Sequence, residues 1–150
     1  MDLRFSSALQ VLLSLALAEE QCAVPVPSSQ LADGLGVPSS VVRRLAAVLI
    51  EHGLVSSSMG KSGGLRLAKS AGQVRLVDVY DAVQVDAPLW GRRKDLVHQC
   101  LVTTHIEEFV EELDADAQSV VRRFLAGRTL ADSMARLRKL EVEKTDQPRG

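Results

Sequence analysis

Cysteine is scarce in this chain: Cys22 and Cys100 are the only two in 150 residues. Two thiols cannot build a disulfide framework, so the composition fits a reducing compartment and a cytoplasmic location is expected. Aromatic residues are equally few, with three Phe, Trp90 and Tyr80. The core must therefore be built from Leu, Val and Ala, which favours a mostly helical protein. Long apolar runs are absent too. None reaches the roughly 20 residues of a transmembrane helix, so no membrane partner is expected. Val11–Ala18 (VLLSLALA) has the apolar character of a secretory signal. However, Asp2 opposes a positive leader, and Phe5, Leu9, Leu12, Leu13 and Ala16 repeat as one face of an amphipathic helix. The segment is expected to be part of the fold. Net charge is also small, at −1, which excludes binding to polyanions through bulk charge alone.

The distribution of charge is less neutral than its sum. Between Ser39 and Lys69 lie Arg43, Arg44, Lys61, Arg66 and Lys69 against one acid, Glu51, while fourteen of the nineteen acids follow Gly72. This basic stretch coincides with the most patterned part of the chain. A first helix is expected over Phe5–Glu20, ended by Val24-Pro25-Val26-Pro27, because proline is excluded from helix interiors. Val24 and Val26 are expected to make a very short strand beside a later hairpin. Ser28 or Ser29 caps a short helix with Leu31, Ala32 and Leu35 inward, and Gly36 supplies the turn that ends it. Pro38 and Ser39 open the next helix, with Ser39 as its cap. Val42, Leu45, Ala46 and Leu49 face inward there, leaving Ser40, Arg43, Arg44 and Ala47 outward. Gly53 closes it.

Leu54–Ser58 and Leu65–Ala68 then read as strands around Met59–Gly64, a loop suited to a hairpin that approaches another backbone closely. This order describes a winged helix-turn-helix, and double-stranded DNA is the expected partner. Ser39, Ser40, Arg43 and Arg44 are the candidates for reading base and phosphate, with Lys61 and Arg66 serving the wing.

Leu76–Gln84 continues as a short amphipathic helix, followed by a loop through Pro88, Trp90 and Arg92-Arg93-Lys94. Ile106, Phe109, Val110, Leu113, Ala117, Val120, Val121 and Phe124 then form an apolar stripe at gaps of three and four. Acids from Glu107 to Asp116 crowd the first half of this helix, and Arg122, Arg123 and Arg128 follow. An antiparallel pair would set acid against base, so a homodimer through Ile106–Phe124 is expected. Thr129 caps a last helix through about Lys144. The expected division is a DNA-binding domain at 1–84, a linker or sensor loop at 85–100, dimerisation helices at 101–144 and a frayed tail at 145–150.

Other constellations are weaker. His98, Cys100 and His105 resemble a metal set but lack a fourth ligand, and no metal site is expected. Gly60-Lys61-Ser62 looks like the end of a P-loop, yet Val55 stands where the first glycine belongs and the segment leads into a strand. Cys100 and Cys22 are candidates for oxidant sensing, the former near a helix N-terminus with His98 and a basic cluster close by. Tyr80 and Trp90 are candidates for lining a small-effector pocket. No acid pair, nucleophile–base set or cofactor loop suggests an enzyme. A winged-helix module that binds protein rather than DNA is the alternative.

The chain resembles the bacterial Rrf-two family of winged-helix transcription regulators. That family includes the iron–sulfur biogenesis regulator, a nitric-oxide-sensitive repressor and a cysteine-metabolism repressor. The resemblance rests on Val41-Val42-Arg43-Arg44-Leu45, on Gly53-Leu54-Val55 with Gly60-Lys61-Ser62-Gly63-Gly64, on Leu76–Val83, on the long helix, and on Thr129-Leu130-Ala131-Asp132. It implies a dimeric repressor of a near-palindromic operator. Ser56, Met59 and Leu65 depart from the family's more basic and aromatic wing. Of three cysteines that hold a cluster in some relatives, Cys100 matches the last, while Pro88 and Lys94 stand at the other two positions. The resemblance is thus to a cluster-free type, with no iron–sulfur cofactor expected.

Overall fold

The apolar face of the first twenty residues becomes the centre of the molecule. The structure is a computed structural model and describes residues 3–84, 88–91 and 100–145. Its elements follow in the order α1 (Arg4–Glu20), α2 (Ser28–Leu35), α3 (Ser39–Glu51), β1 (Val55–Ser58), β2 (Gly64–Leu67), α4 (Leu76–Val83), α5 (Leu101–Ala126) and α6 (Leu130–Thr145). Ala8, Val11, Leu12, Leu15 and Ala16 of α1 are buried, so the VLLSLALA segment lies in the core. Against it pack Leu31 and Ala32 of α2, Val42, Ala46 and Leu49 of α3, Leu65 and Leu67 of β2, and Val79 and Val83 of α4. Each fully buried Leu or Val stabilises by roughly 1.5–3 kcal/mol. An aliphatic core of this size needs no aromatic or disulfide support.

Two expected caps are corrected. Pro27 (φ −59°, ψ 142°) and Pro38 (φ −60°, ψ 144°) occupy the N-cap positions of α2 and α3, and neither helix has a side-chain cap. Proline's restricted φ already supplies the extended N-cap geometry, which places Ser28 and Ser39 one position inside as first helical residues. Gly36 adopts φ +66° between α2 and α3, and the Val37 N–H donates to the Ala32 carbonyl at 3.1 Å, closing the turn of the helix-turn-helix.

The wing is a two-stranded antiparallel sheet with Val55 opposite Leu67 and Ser58 opposite Gly64. Leu54 and Ala68, expected inside the strands, flank them, although the Ala68 N–H still donates to the Leu54 carbonyl at 3.1 Å. The short strand expected at Val24 and Val26 is a single bridge: Val26 and Leu65 exchange both backbone hydrogen bonds at 2.8 Å. This bridge ties the wing to the segment before α2. A Cβ on Gly64 (φ +157°) would lie 2.5 Å from the Val26 carbonyl oxygen, so the close approach requires glycine.

The chain returns to this core after α5. The Leu130 N–H donates to the Val74 carbonyl at 2.8 Å and the Leu76 N–H to the Arg128 carbonyl at 2.9 Å. Thr129 caps α6 as expected: its N–H and hydroxyl both donate to an Asp132 carboxylate oxygen at 2.8 Å, and the Asp132 N–H returns to the Thr129 hydroxyl. Leu130 and Met134 enter the α1 core, and Arg138 pairs with Glu20. Thr145, expected in the tail, is helical and bonds the Glu141 carbonyl, because α6 continues one residue further. The remaining tail residues, 146–150, lie outside the described residues.

Gly64→Ala should destabilise the protein by several kcal/mol, on the order of the large backbone-strain and overpacking effects, and loosen the wing. The measure is the urea midpoint together with amide exchange at Val26 and Leu65. An unchanged midpoint with full protection would contradict the close packing described.

Candidate nucleic-acid interface

α3 divides its residues cleanly by helical period. Val42, Ala46 and Leu49 are buried, Ser40, Arg43, Arg44 and Ala47 are exposed, and Ser39 is half-buried in the first turn. The outward set follows the i, i+3, i+4, i+7 spacing of one helix face. On the wing, Lys61 is exposed at the hairpin turn. Arg66 faces out from β2 between the inward Leu65 and Leu67, as strand alternation requires. Ser39, Ser40, Arg43, Arg44, Lys61 and Arg66 make no side-chain hydrogen bond or ion pair among the described residues. The charged groups on this surface are therefore not consumed within the chain. Arg44 also lines a groove of about 520 Å³ between α3, α1 and α4, an apolar surface suited to the stem of an arginine.

α5 is far less buried than an amphipathic helix inside a core. Phe109, Leu113, Val120 and Phe124 are 43–61% exposed, and only Asp114 and Leu125 are buried. The C-terminal part of α5 packs on α4 through Leu125 and Val121 against Leu76, Val77 and Tyr80. Phe109, Leu113, Val120 and Phe124 stay open, whereas Ile106, Val110 and Ala117 of the stripe are half-buried. Two of the basic residues expected to face a partner's acids are engaged within the chain. Arg122 donates to Asp81 at 2.8 Å and lies over the Tyr80 ring, and the Arg128 guanidinium stacks 3.7 Å from the Phe124 ring centre. Arg123 remains exposed.

One acid is placed contrary to its sequence pattern. Asp114 sits among the acidic residues expected on a solvated face, but it is 7% exposed. It accepts the Leu89 N–H at 2.6 Å and the Gln118 amide at 2.6 Å, fastening segment 88–91 to α5. Its partner is 25 residues distant, so helical spacing alone carried no signal for it.

The sensor candidates separate. Tyr80 is buried, whereas Trp90 is half-exposed and does not line the cleft that Tyr80 borders. Cys22 and Cys100 are both free and exposed, Cys22 just past α1 and Cys100 at the N-cap of α5. The Thr103 hydroxyl lies 3.5 Å from the Cys100 sulfur, and the Cys100 N–H donates to that hydroxyl at 2.9 Å. Bonding from Thr103, side chain first and then backbone, together with the Val102 N–H, lowers the Cys100 thiol below its ordinary value. His105 faces Glu108 at 3.5 Å. His98, Lys94 and the Arg92-Arg93 pair lie outside the described residues.

Because a lowered thiol pKa extends thiolate to lower pH, alkylation of Cys100 should persist below the pH at which an ordinary thiol loses reactivity. Thr103→Val should shift that profile upward. Iodoacetamide labelling of the Cys22→Ser protein across pH 6–9 reads the shift, and coincident profiles would remove the role given to Thr103.

A family model described as "Iron-dependent Transcriptional regulator", Rrf2, matches residues 1–136. YwnA of Bacillus subtilis, described as an HTH-type transcriptional regulator, is 26% identical over 134 residues, covering 89% of this chain and 96% of that protein. The HTH-type transcriptional regulator IscR of Citrobacter koseri is 38% identical over 82 residues, 53% of this chain and 49% of IscR, so the match spans about half of that relative. Among solved structures, a transcriptional regulator from Lactobacillus plantarum superposes with a TM-score of 0.77 at 25% identity, covering 98% of this chain and all of that one. The iron named in the family description finds a poor donor set among the described residues. There are two cysteines, and no group of three His, Cys, Asp or Glu able to hold a metal occurs among the described residues. A cluster held by cysteine thiolates does not fit these residues. With its helix-turn-helix, two-stranded wing and long following helix, and with a family match over most of its length, the chain belongs to the Rrf2 family of transcriptional regulators.

Proposed function

We propose that this regulator is a cytoplasmic homodimer that binds a near-palindromic operator and represses transcription, without chemistry of its own. The observation that carries the reading is the outward face of α3. Ser40, Arg43 and Arg44 stand exposed beside the half-buried Ser39, all without a side-chain partner among the described residues, on the second helix of a helix-turn-helix. In that position Arg43 and Arg44 suit guanine or phosphate, and Ser39 and Ser40 suit phosphate near the helix N-terminus. Lys61 and Arg66 extend the contact from the wing. The relatives, named as transcriptional regulators, support this reading over a protein-binding module.

The open stripe on α5 supports the dimer. Phe109, Leu113, Val120 and Phe124 form a continuous apolar face too long to be ordinary scattered exposure, and a second copy of the same helix would cover it. Two protomers would present two α3 helices to half-sites about one DNA turn apart, near 34 Å. The functional division is then 1–84 for DNA, 85–100 as a linker or sensor loop, 101–144 for dimerisation and 145–150 as tail. Of the sensor candidates, Cys100 is supported by its lowered thiol pKa and exposed position.

Selection of bound sequences from random DNA, followed by titration at several salt concentrations, tests the reading. Arg43→Ala with Arg44→Ala should weaken binding by about 2–6 kcal/mol, at roughly 1–3 per contact. Affinity that ignores both substitutions and salt would favour a protein-binding module. Phe109→Glu with Val120→Glu should convert a dimer in light scattering to a folded monomer. A wild-type protein already monomeric at micromolar concentration would remove the α5 dimer.

A further inference from the structure

Met59 stands at the apex of the wing and is 99% exposed, whereas the other large apolar side chains of the hairpin, Val55, Leu65 and Leu67, are at most 6% exposed. A lone apolar residue is ordinary on a protein surface. This one occupies the far end of the element that leads out of α3. Its neighbours define the chemistry around it. Ser57, Ser58 and Ser62 are small and exposed, Lys61 is an exposed cation, and neither an acid nor an aromatic residue occurs between Gly53 and Val77.

The apex is braced. The Gly63 N–H donates to the Gly60 carbonyl at 3.0 Å across the turn, and Gly60 takes φ +103°. A Cβ on Gly63 would overlap the Ser58 carbonyl oxygen, so the backbone on either side of Met59 packs upon itself. The base of the wing is fastened to the end of α3, where the Gly53 N–H donates to the Ile50 carbonyl and the Leu54 N–H to the Leu49 carbonyl, both at 2.9 Å. The Val26–Leu65 bridge ties it to the core on the other side. At about 3.4 Å per residue, the strand from Val55 carries Met59 about 14 Å from that base, comparable to the roughly 17 Å of half a DNA turn that separates one groove from the next.

We propose that Met59 is a minor-groove contact that reads the operator by its deformability, favouring a pyrimidine–purine step where the apex lands. This deepens the DNA-binding reading of α3 and rests on it. A narrow A-tract groove recruits cationic side chains through its negative potential, and an uncharged thioether gains nothing from that field. Apolar wedges, methionine among them, work differently. They press on or between base steps that unstack at low cost, and TA and CA/TG steps are the flexible ones. The unbranched, polarisable Met side chain adapts to such a step, and the braced turn lowers the entropy cost of presenting it. Lys61, two residues along, supplies the phosphate contact that holds the apex in place. Discrimination at this position comes from shape, and the charge comes from the neighbour.

Selection from random DNA with the full chain, wild type and Met59→Ala, followed by titration of the selected sequence at several salt concentrations, tests the contact. Wild type should enrich TA or CA/TG about half a turn from the bases selected through α3. Met59→Ala should lose that enrichment and keep the rest. Its affinity for the selected sequence should fall roughly fivefold or more, in keeping with the loss of a buried apolar contact. The dependence on salt should be unchanged, whereas Lys61→Ala should reduce the salt slope by about one. Met59→Leu should restore most of the affinity. The melting temperature of the free protein should be equal in all three Met59 forms, because the side chain packs on nothing; a lower one in Met59→Ala overturns the assignment. An A-tract or no preference at the apex position in wild type overturns the proposal, as does a Met59→Ala loss that Leu fails to rescue or that lowers the salt slope. Sequence-specific binding indifferent to Met59→Ala overturns this proposal alone, whereas a wild-type protein that binds no DNA overturns the operator reading together with it.

Discussion

Burial of one aliphatic face of α1 is the constraint on which the rest of the structure depends. Val11, Leu12 and Leu15 are fully enclosed, and α2, α3, β2, α4 and α6 each reach them or their neighbours. Among the described residues the second cluster, Leu76, Val77, Tyr80 and Leu125, is much smaller. The orientation of α3 follows from this: burying Val42, Ala46 and Leu49 against the centre obliges Ser40, Arg43 and Arg44 to face water. The exposed basic face of α3 is thus the reverse side of a packing requirement.

The same economy governs the wing and the returning C-terminus. A two-stranded hairpin alone is marginal in water, and here it is joined at Leu65 to Val26, with glycine at position 64 permitting the approach. α6 is fastened to the same body by backbone bonds at Leu76 and Leu130 and by the Thr129–Asp132 cap. Between these two anchors α5 departs from the core with an open stripe. That exposed face is the observation behind the proposed dimer.

The exposed face of α3 and the core were largely legible from residue spacing, because both obey helical periodicity within one element. The helix boundaries shifted by one at Ser28 and Ser39, since proline's restricted φ with an extended ψ supplies the N-cap backbone geometry without any side-chain acceptor. Other features had no local signature. Asp114 reads as one more solvated acid until its contact with Leu89 is seen, and Arg122 reads as a partner-facing base until Asp81 claims it, 41 residues away. Tyr80 and Trp90 are the two candidates for an effector pocket in the sequence, and only the packing of α4 against α1 and α5 separates them.

The sequence by itself determined the helical class, the winged helix-turn-helix, the outward basic face and the apolar stripe of α5, because each is written in the period of a single element. Tertiary structure alone decided which of those groups are already spoken for. It buried Asp114, paired Arg122 with Asp81, placed Tyr80 but not Trp90 along a cleft, and left the enclosed Tyr80 hydroxyl without a partner. These outcomes depend on contacts between residues far apart in the chain, and the spacing within one helix holds no record of what a neighbouring helix will bring.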